Sequence, residues 1–212
     1  MQNTSRLNLF PLGIVLFPGL PLPLHIFEDR YKVMVRDCMK LDQPFGIVLA
    51  DSRMRKIGCT ARVEDVIKRY DDGRLDIVTR GERKFRVLEV ENDEPYLVGN
   101  VTYIEESEPF KSASFGTLLQ QTISRLTKLA SLTGSRIDLE SLRSMDPLKV
   151  SYMVAALDAF TVEEKQLFLE LASPSQRLLA CVQSLASVVQ AYNIPDEAKG
   201  LLPDGKLLHR FN

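Results

Sequence analysis

Four prolines inside an otherwise unbroken apolar run constrain this chain more than any other feature. Between Leu7 and Leu24 there is no acid or base, yet Pro11, Pro18, Pro21 and Pro23 interrupt the run. Proline fixes φ and removes an N–H donor, so one continuous helix is excluded. The run reads as a short buried strand from Leu12 to Phe17, then an extended Leu-Pro-Leu-Pro-Leu segment, then a helix beginning near Phe27. Apolar pieces this short and stiff need a folded domain around them to leave water.

The same prolines argue against a secretory signal and a membrane span. Arg6 supplies an early positive charge, but a signal needs an uninterrupted apolar core and a small-residue cleavage site, and no Ala-x-Ala follows. Four prolines in about 18 residues would leave too many backbone groups unpaired in lipid. The run is therefore expected to be core. With 212 residues, 45% of them hydrophobic and 26% charged, the chain has enough apolar material for one large domain or two compact subdomains. A formal net charge of −1 gives no general pull toward nucleic acid or anionic membrane. Cys38, Cys59 and Cys181 are odd in number, scattered and never in C-x-x-C spacing. That pattern suits a reducing cytoplasm, with no disulfide framework and no structural metal.

Along the chain, Phe27, Tyr31, Met34, Val35, Cys38 and Leu41 share one face of a 3.6-residue period, which predicts a helix over Phe27–Leu41. Cys38 on that face reads as a small apolar packing residue rather than a nucleophile. Gln43-Pro44 ends the helix, and Phe45–Leu49 is a compact apolar strand. From Ile57 to Glu106 the texture is that of strands. Asp71-Asp72-Gly73-Arg74 is a turn signal between Val66–Tyr70 and Leu75–Thr79, which predicts a β-hairpin. Gly81-Glu82 reads as a second break. The change of register between Phe85/Val87 and Leu88/Val90 points to a bulge or a doubly buried strand. Pro95 opens a last strand, Tyr96–Ile104, before an acidic exit at Glu105 to Pro109. Short hairpin-linked strands with one early helix describe a small, strongly bent sheet or partly closed barrel.

After Pro109 the period switches to 3.6. Phe115, Leu118, Leu119, Thr122, Leu126 and Leu129 mark a helix closed by Gly134. Asp146-Pro147 is an N-cap followed by proline at the first helical position, and Leu148 to Phe160 continues that helix. Thr161 to Glu164 and Ser173 to Gln176 have capping-box spacing and start two more, with apolar faces Leu167, Phe168, Leu171 and Leu178, Leu179, Val182, Leu185, Val189. Four amphipathic helices with short connections make a bundle, and their apolar residues, Met153 among them, are expected to be core. The expected organisation is a β-rich subdomain over residues 1–110, a helical bundle over 111–193, and an irregular tail over 194–212. In the tail, Gly200 to Lys206 matches seven positions of the phosphate-cradling G-x-x-x-x-G-K-[ST] loop. Leu207 stands where the hydroxyl is needed and no strand precedes it, so the match is read as coincidence.

Catalytic patterns are otherwise absent. There are two histidines, His25 and His209, and no H-E-x-x-H, G-x-S-x-G or G-x-G-x-x-G. Asp71-Asp72 and Glu163-Glu164 are accounted for by a turn and a helix start. His25, between Leu24 and Ile26, has no orienting carboxylate identifiable in the sequence, so it reads as a structural histidine.

The residues also carry a resemblance. Phe10-Pro11-Leu12, Val15-Leu16-Phe17-Pro18-Gly19 and Leu22-Pro23-Leu24-His25-Ile26-Phe27-Glu28-x-Arg30-Tyr31 resemble the opening of the amino-terminal, substrate-binding domain of Lon proteases. The similarity continues through Ile57 to Ala61, Asp72-Gly73-Arg74, Gly81 to Val87 and Pro95-Tyr96-Leu97. In the helical half it runs through Glu164-Lys165-Gln166, Leu169-Glu170 and Arg177-Leu178, covering residues 7 to 193. The resemblance implies an α+β fold: a PUA-like bent sheet or pseudo-barrel followed by an α-helical subdomain. Lon proteases proper carry an ATPase and a serine–lysine peptidase domain after this region. The expectation here is a stand-alone, non-enzymatic binding module without cofactor, nucleotide site or metal.

Such a module would capture exposed apolar segments of unfolded or client polypeptides, with a partner protease as a further contact and no membrane. Candidate peptide-binding residues at the junction of the proline-rich run and the first helix are Phe17, Pro18, Leu20, Phe27, Glu28, Arg30 and Tyr31. An alternative is RNA binding, since PUA-like folds are often used on RNA. Arg53, Arg55, Lys56, Arg62, Lys68, Arg69, Arg80, Arg83, Lys84 and Arg86 make the β half locally basic. Residues 1–110 nonetheless hold 16 Lys and Arg against 18 Asp and Glu, a net of −2. Alternating solvated charges on outward strand faces explain that mixture more simply. A small-molecule pocket between the halves stays open at this level.

Overall fold

Five strands close on themselves and a sixth is laid along the outside. In the computed structural model, which describes residues 4–51, 53–91, 95–106, 113–134 and 139–192, the strands are β1 (Thr4–Leu12), β2 (Pro21–Ile26), β3 (Phe45–Ala50), β4 (Met54–Arg69), β5 (Leu75–Glu91) and β6 (Leu97–Tyr103). One helix, α1 (Asp29–Lys40), lies between β2 and β3. Pairings run β1–β3 (parallel), β3–β4, β4–β5, β5–β6 and β6–β1, so the ring is complete and those strands have few open edges. β2 pairs only with the first half of β5, from Pro21↔Arg80 to Ile26↔Leu75. The class is α+β, and the chain divides into two compact units, Met1–Glu105 and Glu106–Asn212.

The prolines fall where a ladder tolerates them. Pro11 lies in the part of β1 that pairs with β3 alone, since β6 covers only Thr4–Leu9. Pro21 and Pro23 lie in the outer strand, where an amide facing away from β5 needs no partner. The Leu-Pro-Leu-Pro-Leu segment is thus a true edge strand. The strand expected over Leu12–Phe17 is not formed: β1 starts earlier and stops at Leu12, and Leu16 and Phe17 bury their side chains from an irregular crossover. Burial of an apolar run does not require a ladder.

β3 has both faces covered. Phe45 and Ile47 join Phe10, Ile26, Tyr31, Met34, Val35 and Cys38 in one core cluster, while Val48 joins Leu7, Leu9, Phe85, Val87 and Val101 in another. Helix α1 is shorter at both ends than its apolar period suggested. Glu28 is its N-cap, Leu41 its C-cap, and Asp42 follows at φ 50°. Phe27 and Leu41 therefore fall outside the helix and are exposed, at 59% and 62%, instead of closing its apolar stripe.

The hairpin closes where Asp-Gly predicted it: Gly73 takes φ +83° and Tyr70 N–H donates to the Arg74 carbonyl at 3.0 Å. A bulge between Val87 and Glu89 accounts for the change of register there. The break expected at Gly81-Glu82 is only a register shift: β5 continues from Leu75 to Glu91, with an irregularity in its pairing with β4 between Gly81 and Lys84. Gly81 marks a close approach instead: a Cβ there would lie 2.3 Å from the Phe17 carbonyl oxygen.

The second unit holds α2 (Ala113–Thr133), α3 (Leu139–Ser144), α4 (Pro147–Ala155), α5 (Val162–Glu170) and α6 (Pro174–Tyr192). Gly134 at φ +69° follows α2, and Asp146 accepts from the Leu148 and Lys149 amides with Pro147 in the first turn. Thr161 and Glu164 form a complete capping box. The short α3 had no sequence signal, and α4 stops at Ala155, well before Phe160. Leu167, Leu179 and Met153, expected in the core, are exposed at 61%, 43% and 36%. Each lies beside buried neighbours (Phe168 and Leu169, Leu178, Tyr152 and Val154), so the buried stripe runs one position away.

At the centre of this unit is a charged side chain. Arg177 is 0% exposed, and its guanidinium donates to the Phe168 and Leu171 carbonyls, Ser151 Oγ and both oxygens of Glu106, all at 2.8–3.0 Å. The Tyr152 ring covers it at 4.0 Å, and the Tyr152 hydroxyl donates to the same Glu106. A buried charge is tolerated only when paired and hydrogen-bonded to this extent. The expected tail and its phosphate-loop lookalike lie outside the described residues.

Candidate peptide-binding surface

A turn, a strand and a helix start build the surface. Phe17-Pro18-Gly19-Leu20 is a β-turn in which Leu20 N–H donates to the Phe17 carbonyl at 3.2 Å and Gly19 takes φ +80°, the position where glycine is needed. β5 holds this turn through Gly19 N–H to the Gly81 carbonyl (2.8 Å), Gly81 N–H to the Leu20 carbonyl (2.9 Å) and Arg80 Nη1 to the Gly19 carbonyl (2.8 Å). The Phe-Pro-Gly motif therefore seats the crossover against the one position of β5 without a side chain.

From that turn β2 runs with Leu22, Leu24 and Ile26 packed inward, leaving Pro21, Pro23, His25 and then Phe27 facing out. Alternation places these four side chains on one strip roughly 20 Å long. His25 is held at the far end of it. Its Nδ1 lies 2.5 Å from Asp76 Oδ1, and the Tyr70 hydroxyl donates to Asp76 Oδ2 at 2.8 Å. Phe27 stacks beside His25 with ring centroids 6.0 Å apart at 21°, and Tyr70 meets the imidazole edge-on at 5.8 Å. Lys68 and Arg74 lie over the Tyr70 ring at 4.5 and 4.7 Å. The His25 and Tyr70 contacts hold the Asp76 carboxyl below the usual carboxylate range. Lys32 on α1 ties the helix to the hairpin turn through the Asp72 carbonyl.

The sequence candidates divide accordingly. Phe17, at 1% exposure, and Tyr31, at 6%, belong to the core: the Tyr31 ring packs on Phe10 at 4.1 Å, and the Arg30 guanidinium lies 4.6 Å from its centroid. Neither offers a surface. Pro18 and Leu20 are half-buried in the turn, and Glu28 and Arg30 bind each other at 2.7 Å beside the helix start. Phe27 alone among the aromatic candidates is open to solvent. Sequence reasoning missed Pro21, Pro23 and Tyr70 on this face, and it missed Asp76 as the partner of His25. The alternation from Pro21 to Phe27 was a readable signal for the strip, whereas the His25–Asp76 pairing needed the register of two strands 51 residues apart.

This arrangement is suited to contact rather than to chemistry. His25 and Asp76 are both partly open to solvent, and their mutual contact and the Tyr70 hydroxyl bring no nucleophile to them among the described residues. Burial pushes the Cys38 and Cys59 thiols up and the Cys181 thiol up to about 12, which leaves them protonated. No cluster of potential metal ligands occurs among the described residues, and no described helix is long and apolar enough to cross a membrane. The basic residues of the β half are interleaved with acids: Arg55 with Asp51, Arg62 with Asp42 and Glu82, Arg80 with Glu64, Arg83 with Glu105. Lys84 is buried. Among the described residues these ion pairs offset much of the positive charge that binding to a phosphate backbone draws on.

Comparison with known proteins bears on what such a surface contacts. Residues 6–187 match the family model described as the ATP-dependent protease La (LON) substrate-binding domain. Lon protease 1 of Hydrogenovibrio crunogenus is 24% identical over 193 residues, 84% of this chain and 23% of that protein. Lon protease of Flavobacterium johnsoniae is 26% identical over 57% of this chain and 16% of its own length. The chain thus spans a quarter or less of these relatives. Among solved structures, a Lon N-terminal domain protein from Xanthomonas campestris superposes with a TM-score of 0.66 at 30% identity, covering 86% of this chain and 98% of that one. The N-terminal domain of the Mycobacterium avium complex Lon protease shares the fold, with a TM-score of 0.70 at 16% identity.

Proposed function

The chain belongs to the family of the ATP-dependent protease La (LON) substrate-binding domain, and from that premise we propose that it recognises client polypeptides through the outward strip of β2. The strip presents Pro21, Pro23, His25 and Phe27, with Pro18 and Leu20 at one end and the Glu28–Arg30 pair at the other. The observation that carries the proposal is Phe27: a large aromatic ring left 59% exposed at the end of an apolar strip, beside His25 and Tyr70. What distinguishes it from other exposed apolar side chains is its continuity with the proline strip, since contiguous apolar surface rimmed by polar groups is characteristic of interaction sites.

The mode of contact follows from the strand. An extended peptide could in principle add to an open sheet edge through main-chain hydrogen bonds. At β2 the two prolines remove two of the donors such pairing needs, which is also how edge strands avoid self-association. Clients are therefore bound by their side chains, apolar groups against Phe27, Tyr70 and the proline rings, and not as an added strand. The proposal assigns recognition to these residues and leaves cleavage to a protease domain. Three buried, reduced cysteines fit a cytoplasmic setting.

Site-specific photocrosslinking tests the location. A photoreactive residue is placed at Pro23, at Phe27, or at exposed Lys56 as a control, and the full chain is incubated with a permanently unfolded, alkylated polypeptide. Adducts at positions 23 and 27 with little at 56 support the proposal; equal labelling at all three, or none at 23 and 27, overturns it.

A further inference from the structure

Helices α2 and α6 carry no carboxylate at all, in a chain with 28 Asp and Glu. An exposed helix face ordinarily mixes charges of both signs. Here the solvent-facing positions of α6 are Gln176, Leu179, Gln183, Ser187 and Gln190, and its single cation, Arg177, is buried. The two helices border a recess of about 530 Å³ lined by Gln120, Gln121, Ser124, Arg125, Lys128 and Val189. Gln121, Arg125 and Lys128 recur at i, i+4 and i+7 and so share one face of α2. Arg55, Arg62, Arg80 and Arg83 of the β unit each have a carboxylate within 3.0 Å, whereas Arg125 and Lys128 form no ion pair with a described residue.

We propose that the α2–α6 recess docks an acidic peptide segment of a partner protein. Arg125 and Lys128 would take its carboxylates, the glutamine amides and Ser124 its main-chain groups, and Val189 an aliphatic side chain. Charge complementarity selects this occupant. A second copy of the chain related by a two-fold axis would bring the same two cations face to face across the interface, which is repulsive. Nucleic acid would need more cations than two, and aromatic rings for stacking, and the recess is lined by none. The site lies on a different unit from the client strip and does not depend on that reading.

The test uses the full chain and two fluorescein-labelled synthetic peptides of identical apolar pattern, one with glutamates on its polar face and one with glutamines. Fluorescence anisotropy should show the glutamate peptide binding in a salt-sensitive manner and the glutamine peptide binding far more weakly. The Arg125→Glu/Lys128→Glu variant should lose at least ~10-fold in affinity, while charge reversal at exposed Lys56, Lys56→Glu, leaves it unchanged. Circular dichroism of the variants confirms the fold, since both substituted side chains reach solvent. The proposal is overturned if neither peptide binds, or if the variant binds the glutamate peptide as tightly as wild type. It is equally overturned if a single-stranded oligonucleotide takes the peptide's place with the same dependence on the two cations. Sedimentation showing a wild-type dimer that the charge reversal dissociates would also overturn it.

Discussion

Replacing Arg177 by methionine should nearly unfold the helical unit. Methionine keeps an unbranched apolar stem of comparable reach, so the substitution isolates the guanidinium. Its loss leaves the Phe168 and Leu171 carbonyls and Ser151 Oγ without this donor, and removes the charge partner of Glu106, whose side chain is 15% exposed. Breaking a buried pair by deleting one member costs about 3–5 kcal/mol, mostly the uncompensated charge left behind. Domains of this size have about 5–15 kcal/mol in total, so the remaining margin is small. Urea unfolding followed at 222 nm reports mainly on this unit, which holds five of the six described helices. The midpoint should fall by ~1–5 M, given a slope of about 1–3 kcal/mol per M. Glu106→Gln combined with Arg177→Met should cost clearly less than the two single changes summed, because the pair is coupled. A loss under about 1 kcal/mol for Arg177→Met, or strict additivity of the double variant, would refute the argument that a paired buried charge organises these helices.

Further expectations concern the β unit and one helix start. Gly81→Ala places a methyl 2.3 Å from the Phe17 carbonyl oxygen and should cost ~1–3 kcal/mol in thermal or urea unfolding, by forcing the Phe17–Leu20 turn off β5; unchanged stability would mean the turn is not held there. Asp76 has a depressed carboxyl pKa, so its contribution is present above the ordinary carboxylate pKa and is lost as pH falls through the lower folded value. Asp76→Asn should flatten that acid limb in a pH series of unfolding midpoints, and an identical limb in the variant would contradict the pairing. Thr161→Ala removes one arm of the α5 capping box and should cost about 1 kcal/mol by denaturant unfolding.

What the sequence made legible, and what it hid, follows physical lines. Features that depend on a few adjacent residues were readable: the Asp-Gly hairpin turn, the Asp146-Pro147 and Thr161–Glu164 helix starts, the Gly134 helix end. The closing of five strands into a ring was suggested only as a bent or partly closed sheet, because closure depends on the β5–β6 and β1–β6 pairings between distant segments. The prolines of β2 excluded a helix and gave an extended segment, and that this segment is an edge strand depends on its pairing with β5. At the candidate surface, a shared hydrophobic period does not show which of two aromatic residues four apart is buried, so Tyr31 and Phe27 looked alike. One is now core and the other surface. Arg177 carries part of the family resemblance in the sequence, but its role depends on Glu106, 71 residues away, lying beside it.

The central claim is that exposed Phe27 and the proline strip of β2 hold apolar segments of client chains. It is tested most directly by the affinity of the full chain for a fluorescently labelled, permanently unfolded polypeptide, compared with Phe27→Asp. The ring is mostly in solvent, so the variant should fold normally by circular dichroism. The account predicts that its affinity falls at least ~10-fold, as loss of a central aromatic anchor does. Equal affinity of a folded Phe27→Asp variant would contradict it.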